Sequence, residues 1–316
     1  MNATAPDSRP SHLIAQDVLA YTLMTDDRGQ PADRRAVESY LEFLGESTAR
    51  ARALEQRRDG RLVAAVAWLA LPGRTALLLP ASPVAPGIDA AALDALLREA
   101  LALIGQERPA FIQALLAADS VERLALLTRH GFQPLTLMLY LQRAALYPWT
   151  EPVSEAEAGW IAYSARTHAV FAETILQTYV NSTDCPELGR LRTIENVIES
   201  HKAVGRFDPR LWELIVIDER PAGCLLLSLM AGGTLAEVVY VGVTPEFRGR
   251  GVGALLVRRA LEQTRRTGAR RLALVVDERN ASARRLYERF GLKETARRRA
   301  LILVPPETAP AGDLSP

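Results

Sequence analysis

The stretch Leu235 to Ala260, LAEVVYVGVTPEFRGRGVGALLVRRA, changes its pattern twice. It opens as an apolar run rich in β-branched residues, Val238, Val239, Val241 and Val243 with Tyr240, short enough for a buried strand. It breaks at Thr244-Pro245, passes through Arg248-Gly249-Arg250-Gly251-Val252-Gly253 and ends in a helical pattern. Glycines at 249, 251 and 253 let backbone N–H groups turn toward a ligand with no Cβ in the way. The helix beginning near Gly251 adds its positive N-terminal end, so the stretch assembles an anion site with phosphate as the expected guest. The spacing is neither G-x-x-x-x-G-K-[ST] nor G-x-G-x-x-G: no Lys-Ser/Thr follows, and an arginine replaces the first glycine of the second pattern.

A second pattern lies downstream, Asn280-Ala281-Ser282-Ala283-Arg284-Arg285-Leu286-Tyr287-Glu288-Arg289-Phe290-Gly291-Leu292. Arg248-x-x-Gly251-x-Gly253 after a V-x-V strand and Pro245, followed by N-x-x-[AS]-x-x-x-Y-x-x-x-G-[FL], resembles the two signatures of the GNAT superfamily of N-acetyltransferases. The resemblance implies acetyl-CoA as co-substrate. Arg248, Gly249, Arg250, Gly251, Val252 and Gly253 would hold its pyrophosphate, and the backbone of Val241 and Val243 would pair with the pantetheine amides as an added strand does. It also implies a β-bulge that splays this strand from the next, Asn280 on the pantetheine arm, and Arg284 and Arg285 within reach of the ribose phosphate.

Acyl transfer from a thioester to an amine needs an unprotonated amine and a proton for the departing thiolate. Glu237 is the one carboxylate in an otherwise apolar strand and resembles the general base of several GNAT enzymes. Tyr287 lies seven residues after Asn280, on nearly the same helix face, and in the family its hydroxyl stands at the sulfur as the proton donor. The implied activity is transfer of an acetyl group to a primary amine by direct attack in a ternary complex, the amine being a small molecule or a peptide. The alternative is a non-catalytic acyl-CoA sensor. Tyr179, Asp184, Glu187 and Trp212 fall in the region expected to face the acceptor, where an acidic pair would suit a cationic amine.

At 316 residues the chain exceeds one typical domain. A shift of 160 residues lays Gly131 on Gly291, Gly73 on Gly233 and Ser120 on Asn280, which points to a duplicated domain. The same shift sets Glu237 on Leu77, Tyr287 on Leu127, and the Arg248–Gly253 loop on 88–93, where Asp89 replaces a glycine. The expected architecture is therefore α/β (α+β): two tandem GNAT-like domains, each a mixed, mainly antiparallel twisted sheet flanked by helices. Residues 1–147 form a degenerate copy, 148–304 the catalytic one, and 305–316 a disordered tail. Such tandem arrangements resemble two-domain GNAT proteins of the mycothiol synthase type.

Strands are expected at 61–71, 75–79, 111–116, 132–142, 212–217, 223–230, 235–243, 272–276 and 293–304. Helices are expected at 31–54, 89–104, 120–130, 154–170, 191–203, 251–267 and 282–290, with Ser154-x-x-Glu157 as a capping box and a linker at 146–152.

Hydrophobic residues make up 48% and charged residues 24%, and no uncharged run has the length of a membrane span, so a cytoplasmic protein off the membrane, monomeric or homodimeric, is expected. Cys185 and Cys224 stand far apart without metal-ligand neighbours, so neither a disulfide framework nor a metal is expected. From Glu246 to Arg299 there are sixteen Lys/Arg against six Asp/Glu in a chain of net charge +1, a basic field that suits the phosphates of coenzyme A. Many of these arginines flank Ala and Leu at helical spacing, as on a solvated helix face, which argues against nucleic acid as partner.

Overall fold

The 160-residue shift holds element by element. The computed structural model describes residues 22, 50–85, 87–146 and 158–306. The first series is β1 (Arg50–Arg58), β2 (Arg61–Leu71), β3 (Thr75–Pro80), α1 (Ala90–Gln106), β4 (Phe111–Ala117), α2 (Val121–Arg129) and β5 (Gln133–Ala144). There follow β6 (Gly159–Ala162), α3 (His168–Tyr179), α4 (Ile194–Lys202) and β7 (Trp212–Ile217). The second series then runs β8 (Arg220–Leu229), β9 (Leu235–Val243), α5 (Val252–Arg266), β10 (Arg271–Asp277), α6 (Ala281–Arg289) and β11 (Lys293–Leu303). Moved by 160, β4 covers β10 and α2 covers α6 residue for residue.

The described residues divide into two compact units, but not at 147/148. One unit ends at Leu135 and resumes at Arg298; the other is Thr136–Arg297. In the first, β1-β2-β3-β4 are neighbours and Arg298–Leu303 of β11 pair antiparallel with β4; only β3 and β4 run parallel. In the second the order is β6-β7-β8-β9-β10-β5, antiparallel except for β9 with β10. Most of β5, although it closes the first sequence repeat, is thus a strand of the second unit. Alternation in a sequence announces a strand but not its partner.

Two further expectations are corrected. Arg50–Leu54, assigned to the end of a helix, lie in β1, and the rest of 31–54 lies outside the described residues. Gly159–Ala162, expected in a helix over 154–170, form an edge strand on β7, because tertiary pairing overrides the local preference of so short a segment. The capping box, the linker beyond Leu146, the first dozen residues and the tail past Pro306 fall outside the described residues.

Each unit buries its own apolar surface. In the first, Leu93, Leu96, Leu97, Ala100 and Ile104 recur at helical spacing and seat α1 against β2 and β3. In the second, the sheet is covered on both faces. Ile215, Leu225, Leu227, Ala236, Val238, Leu272 and Leu274 point toward α5 and α6. The alternate residues Trp212, Leu214, Cys224 and Leu226 meet Phe171, Ile175 and Ile198 of α3 and α4. Among the described residues, no helix is long and apolar enough to cross a membrane.

Candidate active site

The site begins where two parallel strands part. β9 and β10 pair only from Leu235–Val238 and Arg271–Leu274, and each then continues unpaired with the other, to Val243 and Asp277. Across the other edge of β9, Leu226 faces Tyr240 and Leu227 faces Val238, which leaves Val239 as the extra residue of a bulge. A bulge bends its strand and sharpens the local twist, and the bulge that the family resemblance implied is therefore present at Val239. The resulting cleft has a volume of about 500 Å³. Its walls are Val238–Val243, the loop at Gly249, Gly251 and Gly253, Asn280 and Tyr287, with Thr178 and Asn181–Asp184 on the opposite side.

Gly249 and Gly251 have φ of 75° and 82°, the left-handed region that a Cβ disfavours, and open space surrounds both. Gly251 is the N-cap of α5 and offers no side-chain bond. Among the described residues, no backbone carbonyl accepts the N–H groups of Gly249 through Gly253. Five donors without a backbone acceptor, with the helix dipole behind them, are an arrangement that suits an anion. Val241 and Val243 face the core with their side chains and present the backbone of β9 to the cleft.

Arg248 does not point at the cradle. Its guanidinium donates to the carbonyls of Thr178 (2.9 Å), Asn181 (3.1 Å) and Val243 (3.1 Å). It ties the end of α3 and the segment after it to the end of β9. Sequence reasoning missed this, because the two farthest acceptors lie about seventy residues upstream. Arg250 is exposed, with its guanidinium 5.5 Å from the centroid of Phe247. Asn280 caps α6, its Oδ1 accepting from Ala283 N–H (3.2 Å) and Ser282 Oγ (3.0 Å), while its amide favours the charged form of the Asp184 carboxyl.

Tyr287 is 6% exposed and lines the cleft. Burial, with the Asp184 charge second, raises its phenol above the usual range, so it keeps its proton at every working pH. Glu237 is half-buried on the face of β9 opposite Ala236 and Val238, two residues before the bulge, and is not part of the cleft wall itself. No hydrogen bond reaches its carboxyl among the described residues, and burial pushes it up to about 7.

The four acceptor-side candidates separate. Trp212 is core, 0% exposed, and Tyr179 packs edge-on against Tyr240 at 5.6 Å. Glu187 is bound by Arg279 (2.6 and 3.0 Å), which also holds the fully buried Asp277. Only Asp184 lines the cleft. It accepts from Asp277 N–H (3.0 Å) while Asp277 accepts from Cys185 N–H (3.0 Å), a reciprocal pair that fixes this wall to the end of β10. Burial and the two aspartates raise the Cys185 thiol, which is therefore no thiolate nucleophile. Asp277, three residues before the Asn280 cap, and Arg279 were not singled out in the sequence; the signal available was a lone aspartate ending an apolar strand.

Residues 177–292, which lie within the second unit, match the acetyltransferase (GNAT) family. A GCN5-related N-acetyltransferase from Sphaerobacter thermophilus superposes with a TM-score of 0.62 at 20% identity, covering 95% of this chain and 96% of that one. A tandem GNAT protein from the clavulanic acid biosynthesis pathway gives 0.54 at 16%, covering 94% of each, a likeness of fold. In sequence, the mycothiol acetyltransferase of Beutenbergia cavernae is 32% identical over 143 residues, 44% of this chain. The chain spans 42% of that relative's length.

Proposed function

We propose that the second unit transfers an acetyl group from acetyl-CoA to a primary amine in a ternary complex. The observation that carries this is the row of five unpaired N–H groups at the N-terminus of α5, opening onto the wedge where β9 leaves β10. Pyrophosphate suits the N–H row and an extended pantetheine suits the free edge of β9 beyond the bulge. Glu237 takes a proton from the incoming ammonium, directly or through water. The amine nitrogen then bonds to the thioester carbon, the C–S bond breaks, Tyr287 gives its proton to the departing sulfur, and the proton shed by the nitrogen as the amide forms restores the Tyr287 hydroxyl, directly or through water. A carboxyl near 7 is matched to such work at neutral pH.

The position of Glu237 outside the cleft wall favours a second reading, a unit that binds acyl-CoA without turning it over. Calorimetric affinity for acetyl-CoA, measured with thiol release across a panel of primary amines, separates the two. The name of the relative makes mycothiol-type amines the first members of that panel. Micromolar binding with amine-dependent thiol release is expected; tight binding without release across the panel establishes the sensor.

A further inference from the structure

The strand that the first repeat lends to the second unit brings side chains beside Glu237. The register runs in one row across four strands: Ser228 of β8 faces Glu237 of β9, Glu237 lies level with Ala273 of β10, and Ala273 faces Gln142 of β5. Leu227, Val238, Leu274 and Leu141, their chain neighbours, all point to the α5–α6 side. Ser228, Glu237, Ala273 and Gln142 therefore share the opposite face.

The middle of this row is low and its ends are polar. Ala273 contributes a methyl group, and Glu237 carries no hydrogen bond among the described residues. Ser228 is 0% exposed, and its Oγ has no partner there either. A buried hydroxyl and carboxyl left unpaired side by side are costly in a closed core and ordinary where a ligand or water completes them. At the far end, Gln142 is half-buried, with its Oε1 steadied by Arg271 Nη1 at 3.4 Å. Strands stand ~4.8 Å apart, so Gln142 and Glu237 root about 10 Å from each other, with only the Ala273 methyl between them on this face.

We propose that this row is the floor of the acceptor pocket and that Gln142 is a specificity-determining residue, its amide hydrogen-bonding a hydroxyl carried a few bonds from the reacting nitrogen. The substrate class is a hydroxylated primary amine rather than a plain alkylamine. The inference rests on the reading of Glu237 as the residue that receives the amine, and the test keeps the two apart.

Matched amines differing by one hydroxyl, ethanolamine with ethylamine and aminopropanol with propylamine, are assayed at saturating acetyl-CoA with the full chain, with Gln142→Leu and with Glu237→Gln. Gln142→Leu is expected to lower kcat/KM about three- to tenfold for the hydroxylated member of a pair, the worth of one neutral hydrogen bond. It should leave the alkyl member and the acetyl-CoA affinity unchanged, and the unchanged affinity also reports that the fold is intact. Equal losses for both members, or none for either, overturn the proposal. If Glu237→Gln costs nothing while Gln142→Leu still discriminates, the base assignment falls and the floor stands. If Glu237→Gln is crippling and Gln142→Leu silent, the floor alone falls.

Discussion

Helices α1 and α5 occupy equivalent places in the two repeats, and their N-termini are treated in opposite ways. At α1 the cap is Asp89, whose Oδ1 accepts the N–H groups of Ala91 and Ala92 at 3.1 Å each while Arg58 holds the other oxygen at 2.9 Å. At α5 the cap is Gly251, and the donors behind it are left open. Every helix starts with N–H groups that need acceptors. Where the chain supplies its own carboxylate, the end is closed; where it supplies glycine, the acceptor has to come from outside. The other polar positions follow the same rule: Glu237 and Tyr287 correspond to Leu77 and Leu127, 7% and 0% exposed in the core of the first unit. In one repeat these positions are packed with leucine, and in the other they carry the two groups proposed for proton transfer.

The sharpest test of that division is catalytic. Glu237→Gln and Tyr287→Phe keep size and packing and remove one proton-handling group each, so each should lower kcat by ~10²–10⁴-fold with acetyl-CoA affinity preserved. With the Glu237 carboxyl near 7, wild-type rate should climb as pH rises through neutrality, and the Glu237→Gln deficit should narrow at high pH, where free amine is abundant. Full activity in both variants would leave positioning of the amine to carry the reaction.

Next in size is Gly251→Asp. It adds a Cβ in a left-handed conformation and a charge against phosphate, worth several kcal/mol at about 4 Å in an intermediate dielectric, so acetyl-CoA affinity should fall by roughly 10³-fold. Ala91→Asp, the equivalent change in the first repeat, should leave that affinity where it was. Equal losses at both sites would show that the repeats are functionally alike.

A smaller effect reads Glu237 without any substrate. Its carboxyl titrates higher folded than unfolded, so the stability it contributes is fully present below its unfolded value of about 4.5 and is lost as pH rises through about 7. Glu237→Gln cannot ionise. In denaturant titrations it should therefore be more stable than wild type at pH 8 by roughly 1–3 kcal/mol and match it near pH 4. A variant equally or less stable at pH 8 would mean that the wild-type carboxylate is solvated, and the argument for a neutral-pH base would lose its physical ground.

How much of this was legible beforehand depends on how local the information is. β2, β7 and β9 appear with the expected ends because their apolar runs and flanking turns are contiguous in sequence. The glycine loop and the start of α1 near residue 89 were equally readable, since a cap and its N–H groups lie within three residues of each other. What depended on distant partners was not. β5 reads as the close of the first repeat yet pairs with β10, some 130 residues on. Arg248 stands beside the glycines, and nothing local in the sequence announces that carbonyls of Thr178 and Asn181 hold its guanidinium. β6 is four residues whose strand character exists only through β7.

The smallest prediction returns to the closed helix end. Asp89→Ala removes the acceptor that satisfies Ala91 and Ala92 N–H, and loss of an N-cap of this kind is expected to lower the melting midpoint of the first unit by a few degrees. The carboxyl is held below its usual 3.8, chiefly by the Ala92 N–H and then by Arg58, so it stabilises the fold above that value and ceases to do so as pH falls through its lower folded value. The difference between wild type and Asp89→Ala should accordingly be constant from neutral pH down to about 5 and shrink below 4. Acetyl-CoA affinity should not change, because unmasking this helix end provides neither the glycine backbone nor the splayed strand edge that the second unit has. Acquisition of acetyl-CoA binding by the first unit on removal of one carboxylate would show that Asp89 alone separates the repeats, and that the glycine loop is not what makes the site.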